Sequence, residues 1–206
     1  MTKTAYQTQK IFFALGTVCT LTVFGGDSLH ALERAKNRVL EIARKTKSDN
    51  RSDILVTIGY AAAEAGKILR ASGVDKAVIV IGSTVVSIGA HRVGIRHPFK
   101  AEDESFAFID IEDNAVVTGQ LRDNSCRPDG RRGLRLAEES LASVTLIGKS
   151  AVQLSALCNS VFPMTLKNAM ALLNETEVEA IFVTETQEVF TTVGLTKRST
   201  SSRWAA

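Results

Sequence analysis

The sequence predicts an α+β fold in which a mostly antiparallel β-sheet packs with helices. Short runs of alternating apolar and polar residues indicate several strands, and turn residues separate most of them by only a few positions, as hairpins require. Two longer segments repeat apolar residues every three or four positions, which is typical of amphipathic helices. With 206 residues, 45% of them hydrophobic, the chain is long enough to bury the core of one domain.

The first predicted element is a pair of strands within residues 11–26, IFFALGTVCTLTVFGG. This apolar run, with basic residues before it, would also suit a secretory signal peptide, which has a basic start followed by a hydrophobic region. Gly16 interrupts the run, however, and from Thr17 to Phe24 the side chains alternate between two faces. We therefore predict strands and expect a cytoplasmic location, with secretion or membrane anchoring through an N-terminal signal as the alternative.

Two helices are predicted next. Residues 27–47 form an amphipathic pattern that Asp27 or Ser28 caps. The apolar stripe of this helix consists of Leu32, Ala35, Val39, Ile42 and Ala43. A polar loop at 47–53 precedes a second helix through YAAAEAGKILRASG, which Gly73 ends as a C-cap.

A series of strands follows the second helix. We predict a turn at Gly89-Ala90 and a hairpin in which residues 104–112 pair with 115–119 through Asp113-Asn114. The remaining predicted elements are strands at 76–82, 84–89, 91–98 and 141–148, helices at 150–162 and 166–176, and a closing hairpin at 179–194. We expect a single domain over residues 1–196 and a disordered tail at 197–206.

Composition narrows the classes of function. The formal net charge of +3 is too small to indicate nucleic-acid binding, and one Trp and two Tyr do not indicate a base-stacking surface. The three cysteines, Cys19, Cys126 and Cys158, are far apart, with no spacing typical of a metal site or a disulfide framework. This pattern is consistent with a reducing compartment.

Several segments resemble, in the same order, those of the ApbE-type flavin transferases. The resemblance is carried by ALGTVCTLTVFG, IGYAAAEAGKILRASGVDKAVIVIGSTVVSIG, VGIRHPF, AVVTG and SVTLIGKSAVQLSALCNSVFPM, which together span roughly residues 10–195. It implies an ApbE-like, T-fold-like architecture. It also implies FAD:protein FMN transferase activity, which moves FMN from FAD onto a Thr or Ser of a target flavoprotein with the help of Mg²⁺.

The resemblance also implies site residues. The flavin contacts would be Thr57, Gly59 and Tyr60 at the start of the second helix, Gly82 and Ser83 at a turn, and Thr118 and Gly119 at a strand end. The magnesium positions fall on Ser155 and Asn159, whose four-residue spacing places both on one helix face. No catalytic residue is assigned.

The chain departs from the family pattern at the positions to which the family's catalytic chemistry is assigned. Ile58 replaces a lysine, Ser155 and Asn159 replace an Asp and a Thr, and a long family segment between the first two helices is missing. The family's histidine-containing loop has only CRPDGRRG (126–133) as a counterpart. Two hypotheses remain: a transferase relative with an eroded site, and a non-catalytic flavin- or nucleotide-binding domain or homo-oligomeric interaction domain.

Other polar residues carry weaker hypotheses. The arginines at 127, 131, 132 and 135 suit the binding of an anion, and they would do so if the chain were a small enzyme with a different active site. A solvated loop is the simpler interpretation. We expect His30, His91 and His97 to be surface residues, and Asp110, Glu112 and Asp113 to form a solvated turn. Cys126, in a basic loop, is a candidate reactive thiol without an identifiable base.

Overall fold

The computed structural model describes residues 7–26, 28–46, 50–100, 104–120 and 140–198. Within these ranges the strands are β1 (Gln7–Ala14), β2 (Thr17–Phe24), β3 (Ala77–Ile81), β4 (Thr84–Ile88), β5 (Ala90–Arg96), β6 (Ser105–Glu112), β7 (Ala115–Gln120), β8 (Leu141–Gly148), β9 (Glu179–Thr184) and β10 (Val189–Thr191). The helices are α1 (Leu29–Lys45), α2 (Arg51–Ala71), α3 (Ala151–Val161), α4 (Leu166–Leu173) and α5 (Val193–Arg198).

The described strands form one large sheet and one small ribbon. The large sheet has the order β1-β2-β3-β4-β7-β8-β9-β10, and every strand in it runs antiparallel to its neighbours. β5 and β6 pair only with each other in a separate antiparallel ribbon. The predicted α+β class with a mostly antiparallel sheet is confirmed.

The first two strands form the hairpin that their alternation predicts. Ala14 pairs with Thr17, and the two residues between them, Leu15 and Gly16, both have positive φ angles, of 53° and 74°. Positive φ at both turn positions is the geometry that two-residue hairpins favour, because its twist matches that of the strands. Cys19, Leu21 and Val23 are buried on the face of β2 that packs against α1.

The second helix begins earlier than predicted. It starts at Arg51, because the side chain of Asn50 accepts a hydrogen bond from the amide of Ser52 (3.0 Å) and caps it. The prediction of a polar loop at 47–53 is therefore wrong for residues 51–53, which belong to the helix. At the other end, Gly73 has a φ of 77° and its amide bonds Arg70, which confirms the predicted glycine C-cap.

Two strand pairings differ from the prediction. β7 pairs with β4 and β8 rather than with β6, and β4 and β5 are not paired across Gly89-Ala90. Nearly all of β7 is buried on both faces, as a central strand must be, whereas β6 alternates between buried and exposed residues. The Asp113-Asn114 turn instead carries the chain from the ribbon to the large sheet, where Asn114 exchanges hydrogen bonds with Ser87.

The large sheet has a helical face and an opposite face, called the ribbon face, where Leu195 of α5 also packs. Helices α1, α2 and α3 pack on the helical face. The ribbon packs on the other face, where its apolar residues meet β7, β8 and β9. None of the described helices combines the length and apolar content that a membrane-spanning helix needs.

The C-terminal end contains a helix that was not predicted. α5 runs to Arg198, two residues beyond the predicted domain end at residue 196. The amide of Leu195 donates to a carboxylate oxygen of Glu179 (3.0 Å), and the Thr192 hydroxyl bonds the same oxygen. Glu179 therefore holds α5 against β9. Residues 199–206, which make up most of the predicted disordered tail, lie outside the described residues.

Candidate functional site

The two predicted magnesium positions lie in the contact between α2 and α3. Ser155 is fully buried, and its hydroxyl has no hydrogen-bond partner among the described residues. Gly59 of α2 faces it so closely that a Cβ at residue 59 would overlap Ser155 Oγ and lie 2.6 Å from the carbonyl oxygen of Ala151. The absence of a side chain at Gly59 is therefore what lets the two helices approach.

Asn159 lies one turn further along α3 and bonds the first turn of α2. Its Nδ2 donates to the carbonyl of Ser52 (2.9 Å), while its Oδ1 is buried without a partner among the described residues. The carbonyl of Ser52 belongs to a helix residue, so this bond ties the side of one helix to the start of the other. Ser155 and Asn159 thus both contribute to helix packing.

The other predicted contacts on α2 lie inside the helix, not at its start. The hydroxyl of Thr57 donates to the carbonyl of Asp53 (2.8 Å), and the hydroxyl of Tyr60 accepts from Arg38 of α1 (3.2 Å). Ile58, at the position of the family lysine, is 8% exposed and packs in the core beneath α1. An apolar side chain here supports the α1–α2 contact, which a charged group would disrupt.

An ion network connects α1 and α2 at their surface. Arg38 contacts carboxylate oxygens of Glu41 (2.9 Å) and Glu64 (3.0 Å), and Lys67 also contacts Glu64 (2.9 Å). Hydrogen bonds from Lys67 and Arg38 lower the pKa of Glu64, and those to Glu41 and Glu64 raise the pKa of Arg38. Every charge in this cluster has a partner, so Tyr60 lies beside a structural network.

Three other predicted flavin contacts come together where the β3–β4 turn meets β7. Gly82 has a φ of 57°, and the carbonyl of Ser83 accepts a hydrogen bond from the amide of Thr118 (3.1 Å). The hydroxyl of Thr118 bonds the hydroxyl of Thr145 on β8 (2.9 Å). Gly82, Ser83 and Thr118 line one groove of about 270 Å³. Its other lining residues are Val78, Val80, Val85, Val116, Gln120 and residues 92–96 of β5.

This groove, hereafter the β5 groove, lies on the ribbon face of the sheet. Val116 packs with the ribbon whereas Val117 packs with α3, so alternation places Thr118 on the ribbon side and Gly119 on the helical side. Thr57 and Tyr60, on α2, are therefore separated by the sheet from Thr118. Sequence reasoning missed Gln120, which lines the groove and is 7% exposed, although its spacing of two from Thr118 indicates a shared face.

Asp110 and Glu112 are exposed, as expected, whereas His91 and Asp113 make structural contacts. His91 is half-buried, and its Nε2 lies 3.0 Å from the carbonyl oxygen of Ile88. The centroid of its ring is 5.2 Å from that of Phe24, with the two rings tilted. Burial lowers the pKa of His91. Asp113 accepts from the amide of Gly89 (3.0 Å) and from Arg70 (2.9 Å), and both bonds lower its pKa.

The other two histidines differ, and only His30 is the exposed surface residue that the sequence predicts. The ring of His97, which is half-buried, meets the rings of Phe99 and Phe106 edge-on, whereas His30 is exposed. No group of three or more His, Cys, Asp or Glu residues in the described ranges is placed to hold a metal ion. Cys126 and the arginine-rich loop lie outside the described residues.

Comparison with known proteins identifies the family. The ApbE family model matches residues 56–182, more than half of the chain. The chain belongs to the ApbE family. The FAD:protein FMN transferase of Klebsiella pneumoniae (strain 342) is 26% identical over 140 residues, which are 64% of this chain but 44% of that protein. The chain thus spans less than half the length of this curated ApbE relative.

Solved ApbE structures share the fold. The flavin transferase ApbE from Vibrio cholerae has a TM-score of 0.72 at 12% identity, and the ApbE protein of Thermotoga maritima has 0.72 at 13%. Each comparison covers 94% of this chain and 99% of the other. The apo flavinyl transferase ApbE of Pseudomonas stutzeri has a TM-score of 0.68 at 12% identity, covering 94% and 98%. The sequence resemblance and the predicted fold are confirmed.

Proposed function

We propose that this ApbE-family chain binds a flavin nucleotide in the β5 groove without Mg²⁺ and does not transfer FMN. The observation that carries the absence of Mg²⁺ and of transfer is the α2–α3 contact, where the fully buried Ser155 abuts Gly59. A metal at this position would need space and charge that the contact does not provide. FAD is therefore a ligand in this proposal rather than a substrate.

The donor chemistry supports the absence of Mg²⁺. Mg²⁺ prefers carboxylate and phosphate oxygens in near-octahedral geometry and keeps several of its waters. Ser155 and Asn159 offer one neutral hydroxyl and one neutral amide oxygen, both buried between helices. The amide nitrogen of Asn159 is already bonded to Ser52, which fixes the orientation of the group. These residues do not fit a magnesium ion.

The lining of the β5 groove supports a planar, partly polar ligand. Its floor consists of the valines at 78, 80, 85 and 116, which suit the apolar face of a ring system. Ser83, Thr118 and Gln120 supply hydroxyl and amide groups at its margin, where they can bond the polar edge of a flavin. At about 270 Å³ the groove accommodates a ring system rather than a whole dinucleotide, so the rest of FAD would lie over the neighbouring surface.

Flavin titration with the purified chain tests the proposal. We expect the fluorescence of FAD and of FMN to change on binding, with the same affinity in Mg²⁺ and in EDTA. Ser83→Phe should fill the groove and abolish binding, whereas Ser160→Phe, on the exposed side of α3, should not. Absence of binding to both flavins would refute the flavin assignment.

Product analysis tests the second half of the proposal. FMN transfer breaks the diphosphate of FAD, joins FMN to a hydroxyl of the acceptor and releases AMP. We expect no AMP from FAD, Mg²⁺ and a flavoprotein acceptor, and Mg²⁺-dependent AMP release would refute the proposal. The variant combining Ser155→Asp with Asn159→Thr should remain inactive and become less stable, because it buries a carboxylate against Gly59. Activity in that variant would contradict the packing argument.

A further inference from the structure

The ribbon, together with Leu195 of α5, covers the part of the ribbon face formed by β4, β7, β8 and β9. Ile109 and Ile111 of β6 belong to the cluster that includes Ile147 and Ile181 of β8 and β9. Val93 and Ile95 of β5 belong to the same cluster beside Val85 and Val116 of β4 and β7. Residues 92–96 of β5 also line the β5 groove together with Val78 and Val80 of β3, so β5 is the strand of the ribbon that lies beside β3. The free edge of β5 faces the part of the sheet formed by β3, β2 and β1.

That part of the sheet presents an apolar surface. Ile11 pairs with Thr20, Thr20 with Val80, and Val80 with Val85, so these four side chains form one row on the ribbon face. The exposed fractions of Ile11, Phe13 and Val18 are 64%, 68% and 56%. We call this surface the open half-face; it consists of Ile11, Phe13, Val18, Thr20, Val78 and Val80.

The free edge of β5 can pair with a further strand. β5 is hydrogen-bonded to β6 alone among the described strands, so backbone amides and carbonyls along its other edge have no strand partner there. Such an edge is a template for an extended segment, whose alternate side chains then face the surface below. Gly94 adds no side chain to this edge, and the ring of its partner Phe108 lies against it.

The charges along β5 select the partner. Arg92 and Arg96 are exposed, line the β5 groove and make no ion pair with any described residue. Their spacing of four residues along a strand corresponds to about 13 Å. The groove lining and the open half-face contain no carboxylate among the described residues, and Asp110, which lies opposite Arg92, belongs to β6 on the paired edge of β5. A second copy of the chain would bring like charges to this edge, whereas an acidic segment would be complementary.

We propose that an extended acidic segment of a partner protein adds as a strand to the free edge of β5. Val93 and Ile95 point toward the large sheet, while Arg92 and Arg96 point away from it. An added strand shares this alternation, so its inward side chains are apolar and face the β3 side of the open half-face. Its outward carboxylates, four residues apart, meet the two arginines. The recognised pattern is acidic–apolar–any–apolar–acidic.

A short peptide of this pattern tests the proposal. The probe is fluorescein-labelled TEVTVEVTS, and its binding to the purified chain is followed by fluorescence anisotropy without flavin. We expect saturable binding that weakens at least about tenfold when Arg92→Glu and Arg96→Glu are combined. The matched control combines Arg34→Glu and Arg44→Glu, two exposed arginines of α1 on the opposite side of the sheet, and should leave affinity unchanged.

Two further arms separate strand addition from simple charge attraction. The probe with both glutamates replaced by lysine should bind the doubly reversed variant better than the unmodified chain. Two further probes are N-methylated at alternate residues, so that each lacks the amide hydrogens of one edge of the strand. The probe that lacks the amide hydrogens of the edge facing β5 should lose binding. Equal binding of both N-methylated forms would overturn the proposal.

The outcome does not depend on the flavin assignment, because the peptide is measured alone. The added strand would lie over Val80, which is also part of the flavin groove, so a chain that binds both should show competition. A chain that binds FAD but not the peptide retains only the flavin assignment. Absence of peptide binding overturns strand addition. If the chain binds no peptide but binds anionic lipid vesicles through both arginines, the proposal is likewise overturned.

Discussion

Replacing Gly59 with alanine would place a methyl group in the α2–α3 contact. The added Cβ would overlap Ser155 Oγ and lie 2.6 Å from the carbonyl oxygen of Ala151. The serine hydroxyl can rotate, but the carbonyl belongs to the backbone of α3 and cannot move without the helix. The substitution should therefore push α2 and α3 apart.

The net effect on stability follows from two opposing contributions. Alanine in a helix interior is more favourable than glycine by about 1 kcal/mol. Overpacking a buried site costs about 1–3 kcal/mol, and backbone involvement puts Gly59 at the upper end of that range. We expect Gly59→Ala to lower the free energy of unfolding by about 1–2 kcal/mol. For a domain of this size, that lowers Tm by about 2–8 °C.

Gly66, two turns along the same helix, provides the matched control. A Cβ there would lie 3.5 Å from Val86 Cγ1, an ordinary van der Waals contact. Gly66→Ala should therefore raise the free energy of unfolding by about 0.5–1 kcal/mol. Both variants are compared with the unmodified chain by urea and thermal unfolding, followed by circular dichroism. If Gly59→Ala proved as stable as Gly66→Ala, the helices would not be in close contact, and the argument against a metal at Ser155 would fail.

Three further predictions concern buried and half-buried polar groups. Thr84→Val should raise the free energy of unfolding by about 1 kcal/mol in urea, because the buried Thr84 hydroxyl has no partner among the described residues; a loss of stability would contradict this. Glu179→Gln should speed amide hydrogen exchange in α5 by weakening the bond from the Leu195 amide, and unchanged exchange would show that other contacts hold this helix. Burial lowers the pKa of His91 from about 6.5, so protonation favours the unfolded chain. Stability should fall as pH drops below about 6.5, and His91→Asn should flatten that dependence; an equal slope in both would refute the assignment.

Local features were predictable because their causes lie within a few residues of one another. The β1–β2 hairpin follows from strand alternation interrupted by Gly16, and α1 follows from its apolar stripe. Gly73 ends α2 because glycine adopts a positive φ without strain. The start of α2 was mispredicted because residues 51–59 carry both polar and β-branched side chains, and its capping residue, Asn50, resembles a loop residue.

The sequence by itself determined the α+β class, the two N-terminal strands, the helices α1, α3 and α4, and the family. Only the tertiary structure decided that β7 pairs with β4 and β8, that Thr118 lies across the sheet from Thr57, and that Ser155 packs against Gly59. The physical reason is range. Turns, caps and alternation depend on neighbouring residues, whereas strand order and helix contacts depend on which apolar faces bury one another across the whole chain.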